Sequence, residues 1–224
     1  VHVHQGDTWV VTELDLEQAV ATVVRGDPGW TTHAQSVSSF RIVEPEAARP
    51  VGALQVSRGV VTVTSQVTGF LRRLPGGEVL GEHALDLPER TLTTRAVWWT
   101  AAPEVLLEAG IAGPDVPGAA HAAEHAAIGV LPLVATADRW DIGGVSTALH
   151  PDTGLPTVLV YDGHPGGAGF AEQGHARFGD WIAATHAAVS ECRCVAGCPA
   201  CVQSPKCGNG NEPLNKQAAI RLFA

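Results

Sequence analysis

The sequence predicts an α+β chain in two parts. An antiparallel, β-rich N-terminal part covers residues 1–102, and an α/β part covers residues 103–224 and is closed by a cysteine-bearing loop. Three observations predict it. Residues 59–70 alternate apolar and hydroxyl side chains with the period of two that marks a half-buried strand. Beyond Pro103 the chain turns to alanine-rich, helix-forming stretches punctuated by Gly and Pro clusters. All five cysteines fall between Cys192 and Cys207. With 45% hydrophobic and 17% charged residues among 224, the composition is that of a globular protein able to bury a core.

Taken in order, Gly59–Phe70 is a strand and Pro75–Glu78 a turn, with further strands over Val79–Leu87 and Thr91–Thr100. Within the last of these, Trp98 and Trp99 must point to opposite faces, because side chains alternate along a strand. Glu104–Ala109 is a short helix, Gly113–Gly118 a breaker cluster and Ala119–Val130 an Ala-rich helix. Asp138–Gly144 reads as a loop and Pro156–Tyr161 as a buried strand. Asp162–Gly169 reads as a tight glycine turn and Phe170–Ser190 as one long amphipathic helix. Pro213–Phe223 closes the chain as a helix with its proline in the first turn.

Charge narrows the function classes. The net charge of −9 argues against a nucleic-acid footprint spread over the whole surface. The two lysines, Lys206 and Lys216, lie near the C-terminus, where residues 191–224 carry +2 against −11 for the remainder. No apolar run is long enough for a membrane-spanning helix. The opening VHVHQGDTWV lacks the layout of a signal peptide, and the chain contains no Met, as expected of a piece of something larger.

The cysteines carry the strongest chemical signal. They read Cys192-Arg-Cys194-Val-Ala-Gly-Cys198-Pro-Ala-Cys201, then Cys207. A disulfide framework would spread over the chain, and an odd count would strand one thiol. Short C-x-C and C-x2-C steps suit a tetrahedral zinc ion with thiolate ligands, and the spacing departs from the usual iron–sulfur patterns. On spacing alone, Cys192, Cys194, Cys198 and Cys201 form one possible set and Cys194, Cys198, Cys201 and Cys207 another. A shell of four thiolates leaves no open position, so the site is structural, pinning the helix that ends near Ser190 to the final helix.

Other residues offer rival chemistry. His121-Ala-Ala-Glu124-His125 has the H-x-x-E-H pattern of a metallohydrolase, with both imidazoles on one helix face and Glu124 as the base. The bland reading is an Ala-rich helix whose histidines hydrogen-bond locally. Asp141, Asp162 and His164 lie in glycine-rich loops that a two-layer fold could bring together with His121 and His125 to bind a divalent metal or a phosphate, although Asp before Gly ordinarily caps a turn. Gly166–Gly169 ahead of a helix resembles a phosphate cradle, although strand-to-helix packing explains it equally. From charge, Arg193, Lys206 and Lys216 are the candidate nucleic-acid contacts, with Asn209 and Asn211 either phosphate donors or caps of the final helix.

The segment Glu191–Asn211 resembles the C-terminal zinc-binding (MZB) region of MrfA-type superfamily 2 DNA helicases, bacterial repair enzymes related to fungal fourth-type RecQ helicases. His4–Trp9, Leu85–Pro88, Asp141–Gly144 and Tyr161–Gly169 match as well, so the resemblance runs end to end. It implies the non-motor part of a cytoplasmic, monomeric, ATP-dependent 3′-5′ helicase that serves DNA repair. Its partners would be the motor domains of the same parent chain and single-stranded or forked DNA. It also favours Cys192, Cys194, Cys198 and Cys201 as the zinc ligands, because such relatives often lack the later cysteine. No G-x-x-x-x-G-K-[ST] loop or DExH-type box occurs, so the chain is not expected to be an enzyme on its own. The alternative is a scaffolding or protein-interaction module without DNA contact.

Overall fold

The computed structural model describes all residues, Val1–Ala224, and its internal contacts define two units. The first comprises Val1–Val37 and Gln66–Glu89, the second Ser38–Ser65 and Arg90–Ala224. The contacts thus group differently from the expected division at residue 102. The physical reason is strand pairing: Leu54–Ser65 bonds along Arg90–Ala101, which in turn pairs with a strand near residue 160.

In the first unit, β1 (His2–His4), β2 (Asp7–Asp15) and β3 (Val20–Arg25) form an antiparallel three-stranded sheet. Strands β4 (Thr31–Val51) and β5 (Leu54–Arg73) are long and have residues in both units. The far end of β5 pairs with β6 (Val79–Ala84) across the predicted turn, and Gly77 supplies the positive φ of 92° that the turn requires.

The second unit is built on a sheet of order β4-β5-β7-β9-β8, where β7 is Arg90–Ala101, β8 Ile142–Thr147 and β9 Thr157–Asp162. The β5–β7, β7–β9 and β8–β9 pairs are all antiparallel. The fold is therefore α+β, as the sequence predicts. The period of two separates two clusters. Val56, Val97, Trp99, Val158 and Val160 join the helices, whereas Val61, Val63, Ala96, Trp98 and Leu159 pack with Phe40 on the other face. Trp98 and Trp99 do face opposite ways, but both are buried, since Phe40 and Ile42 of β4 close the second face.

The helices are α1 (Pro103–Glu108), α2 (Val116–Val130), α3 (Phe170–Ala176), α4 (Phe178–Glu191) and α5 (Lys216–Phe223). Helix α2 is buried continuously from Gly118 to Ile128, because its alanines let β8, β9, α4 and α5 approach on several sides. Trp99, Phe178 and Trp181 meet edge to face at centroid distances of 5.4–5.8 Å, and Trp181 Nε1 donates to Ala127 O. No helix is long and apolar enough to cross a membrane.

Three local expectations are corrected. The loop expected over 138–144 holds a single helical turn and then the start of β8. Its Gly143 and Gly144 are packing residues: a Cβ on Gly143 would strike Tyr161, and one on Gly144 would strike Glu124 and Ile128. The long helix breaks at Arg177 (φ −107°, ψ 26°) into α3 and α4, which turns Phe178 and Trp181 into the core. The last helix starts at Lys216, not at Pro213; Asn215 caps it by accepting from Ala218 N, so Asn209 and Asn211 do not.

Candidate metal centre

Helix α4 delivers the chain to the cysteine loop, with Cys192 at its C-cap. Gly197, at φ 120°, takes a backbone conformation that L side chains rarely adopt. A Cβ there would also meet Val202. Cys201 N then donates to Cys198 O and Cys198 N to Cys201 Sγ, curling the C-x2-C step so that both sulfurs face Cys192 and Cys194.

The four sulfurs of Cys192, Cys194, Cys198 and Cys201 all lie within 4.8 Å of one another. Four of the separations are 3.4, 3.5, 3.6 and 3.8 Å. A regular tetrahedron with zinc–sulfur bonds of about 2.3 Å has edges of about 3.8 Å, so the donor set fits a zinc ion. Partial desolvation opposes it, but hydrogen bonds from Cys201, Cys192, Cys198 and Lys216 pull the Cys194 thiol down to about 7. Desolvation pushes Cys201 up to about 12. One thiolate therefore forms readily, and a cation would favour ionisation of the rest.

Lys216 lies in α5, is 3% exposed, and turns its ammonium under this loop. Its Nζ donates to Cys192 O at 2.6 Å, to Cys194 O at 2.7 Å and to Cys194 Sγ at 3.4 Å. The expected joining of the α4 end to the last helix is thus present, made by a lysine. Burial takes Lys216 out of the surface set in which the charge pattern placed it. Lys206 is an exposed residue, yet its ammonium donates to Arg139 O and Ile142 O and sits 5.1 Å from the ring of Trp140. Arg193 is exposed. Asn209 and Asn211 turn inward on their own loop: the Asn209 amide is 2.6 Å from Cys207 Sγ, and Asn211 bridges Ser204 N and O. Trp140, 72% exposed beside Lys206, went unnoticed in the sequence, where its one signal is a large aromatic between turn-capping aspartates.

Cys207 stands apart from the four sulfurs and faces His121 and His125 of α2. His121 Nδ1 lies 2.9 Å from Pro213 O and His125 Nδ1 2.8 Å from Val202 O. Burial lowers the pKa of His121 and takes His125 down to about 4, so both rings are neutral at pH 7. Glu124 does not join them. Its carboxyl packs at Gly144, where burial pushes it up to about 7 against a hydrogen bond from Ser146. His121, Glu124 and His125 are 9%, 7% and 4% exposed, which leaves the H-x-x-E-H pattern no cleft for a substrate.

The glycine turn is occupied by its own aspartate. Asp162 accepts from the backbone N–H groups of Ala168, Gly169, Phe170 and Ala171, filling the position a phosphate would take at the start of α3. Asp141 closes a capping box with Asp138 and lies 3.2 Å from His164. Both aspartates cap turns.

The family model for the MrfA Zn-binding domain matches residues 123–202. The uncharacterized ATP-dependent helicase YprA of Bacillus subtilis is 29% identical over 212 residues, which is 90% of this chain and 27% of that protein. The uncharacterized protein MJ1572.1 of Methanocaldococcus jannaschii is 36% identical over 108 residues, 46% of this chain and 95% of its own length. The ATP-dependent helicase HRQ1 of Saccharomyces cerevisiae is 25% identical over 234 residues, 98% of this chain and 21% of its own. Among solved structures, the DUF1998 helicase MrfA bound to DNA superposes with a TM-score of 0.65 at 27% identity, over 99% of this chain and 29% of that one. This chain spans about a quarter of the length of the helicases it matches.

Proposed function

The chain belongs to the MrfA Zn-binding domain family, and from that premise we propose that it is the non-motor C-terminal region of an ATP-dependent 3′-5′ DNA helicase working in DNA repair. The observation that carries this reading is the end-to-end likeness to a helicase whose structure was determined with DNA bound. Zinc, held by Cys192, Cys194, Cys198 and Cys201, gives the loop its shape when bound and does no chemistry on a substrate. Lys216 braces the loop from beneath by binding its carbonyls. The ATPase motor lies in another part of the parent protein, which acts as a monomer in the cytoplasm.

For the DNA contact, the reading assigns exposed Arg193 to a phosphate and Trp140, with Lys206 against its ring, to a base face. Stacking on an exposed aromatic contributes on the order of 1–3 kcal/mol per base. The rival reading, a scaffold without DNA contact, is favoured by the inward turn of the Lys206 and Lys216 ammonium groups. Fluorescence anisotropy with labelled single strands separates the two. Trp140→Ala should weaken binding about tenfold or more, and Arg193→Ala should lower the slope of log affinity against log salt by about one. If both variants bind as the parent protein does, the scaffold reading stands.

A further inference from the structure

A second constellation of metal-ligating side chains lies between α2 and the segment that follows the four-cysteine loop. The Cys207 sulfur, a ring nitrogen of His121 and a ring nitrogen of His125 all lie within 4.8 Å of one another. The His121 Nε2 to Cys207 Sγ separation is 3.5 Å. For a tetrahedral zinc ion with bonds of about 2.3 Å to sulfur and about 2.0–2.1 Å to nitrogen, that edge is about 3.6 Å.

A hydrogen bond could have the same length, so the proton inventory decides between the two. A backbone carbonyl only accepts, so the Nδ1 atoms facing Pro213 O and Val202 O must carry the ring protons. A neutral imidazole has one proton, which leaves Nε2 of both rings as bare lone pairs. The Asn209 Oδ1, 2.6 Å from the sulfur, is a third acceptor, so three acceptors face a single S–H proton and at least one imidazole lone pair has no donor. Asn211 N already donates to the sulfur at 3.1 Å, as it would to a thiolate. An Nδ1–H held by a carbonyl is also the outer-shell arrangement that orients a histidine bound to a metal through Nε2. The three residues are 9%, 4% and 8% exposed, so only a small fourth ligand such as water fits.

We propose that His121, His125 and Cys207 bind a second zinc ion, separate from the four-thiolate site, through two imidazole nitrogens and one thiolate. It clips the 202–213 segment to α2, and the two ions together hold both ends of the cysteine-rich region to the helical core.

Zinc content of the full chain, loaded with excess Zn2+ and desalted, tests this together with zinc K-edge absorption. The expected result is two equivalents, with nitrogen as well as sulfur scattering. Cys207→Ala should then lose one equivalent and the nitrogen scattering. Cys198→Ser should also lose one equivalent, but keep the nitrogen scattering. One equivalent with sulfur scattering alone overturns the proposal, as does a second equivalent that survives Cys207→Ala. One equivalent with mixed scattering would sink the four-thiolate reading and leave this one standing. If Cys207→Ala does not fold, the absorption spectrum of the unaltered chain decides by itself.

Discussion

Lys216 carries an ammonium where the chain has almost no solvent, and three acceptors of the cysteine loop surround it. Leaving buried carbonyls without a donor costs on the order of 1–3 kcal/mol. Lys216→Met should therefore lower the melting temperature and speed zinc loss to a chelator, while the salt slope of DNA binding stays unchanged. A changed salt slope with unchanged melting would return Lys216 to the surface role its charge suggests. Glu124 makes a second prediction. Its folded pKa of about 7 lies above the 4.5 of an ordinary glutamate, so its contribution is present below about pH 4.5 and lost as pH rises through 7. The loss is on the order of 3 kcal/mol. Glu124→Gln should melt higher than the unaltered chain at pH 8 and lose part of the pH dependence, measured by denaturant titration at pH 5 and pH 8.

At the scale of elements, the approach of β8 to α2 depends on glycine. A Cβ at Gly144 would lie 2.7 Å from both Glu124 Cγ and Ile128 Cδ1, inside any real contact. Gly144→Ala should destabilise by about 1–3 kcal/mol, read as a lower denaturant midpoint with an unchanged m-value. The same glycines hid the strand from sequence reading, because Gly143-Gly144 after Asp141 looks like a turn until a helix stands against it. Strand β5 was legible because apolar and hydroxyl side chains alternate along it, β7 because it is rich in Thr, Val and Trp, β9 because it is a short continuous apolar run, and α2 because alanines run through it. The break between α3 and α4 was not legible, since Arg177 carries no Gly or Pro signal. Spacing left two four-sulfur sets open, and the resemblance favoured Cys192, Cys194, Cys198 and Cys201, whose sulfurs lie within 4.8 Å of one another. What spacing could not give was the companion of Cys207, because His121 and His125 are more than eighty residues away and only the packing of α2 brings them near.

At the scale of the molecule, the proposed function makes the cysteine-rich region a piece built by metal ligation on a helical core, serving strand separation by a motor elsewhere in the parent protein. Structural zinc supplies folding energy, so removing a ligand should unmake that piece and leave a separately folded motor intact. The direct measurement is a paired assay on the parent protein and its Cys198→Ser variant, with single-stranded-DNA-stimulated ATP hydrolysis in one arm and unwinding of a 3′-tailed duplex in the other. The account predicts that hydrolysis persists while unwinding falls at least tenfold. Undiminished unwinding by a variant shown to lack the four-thiolate zinc would contradict it.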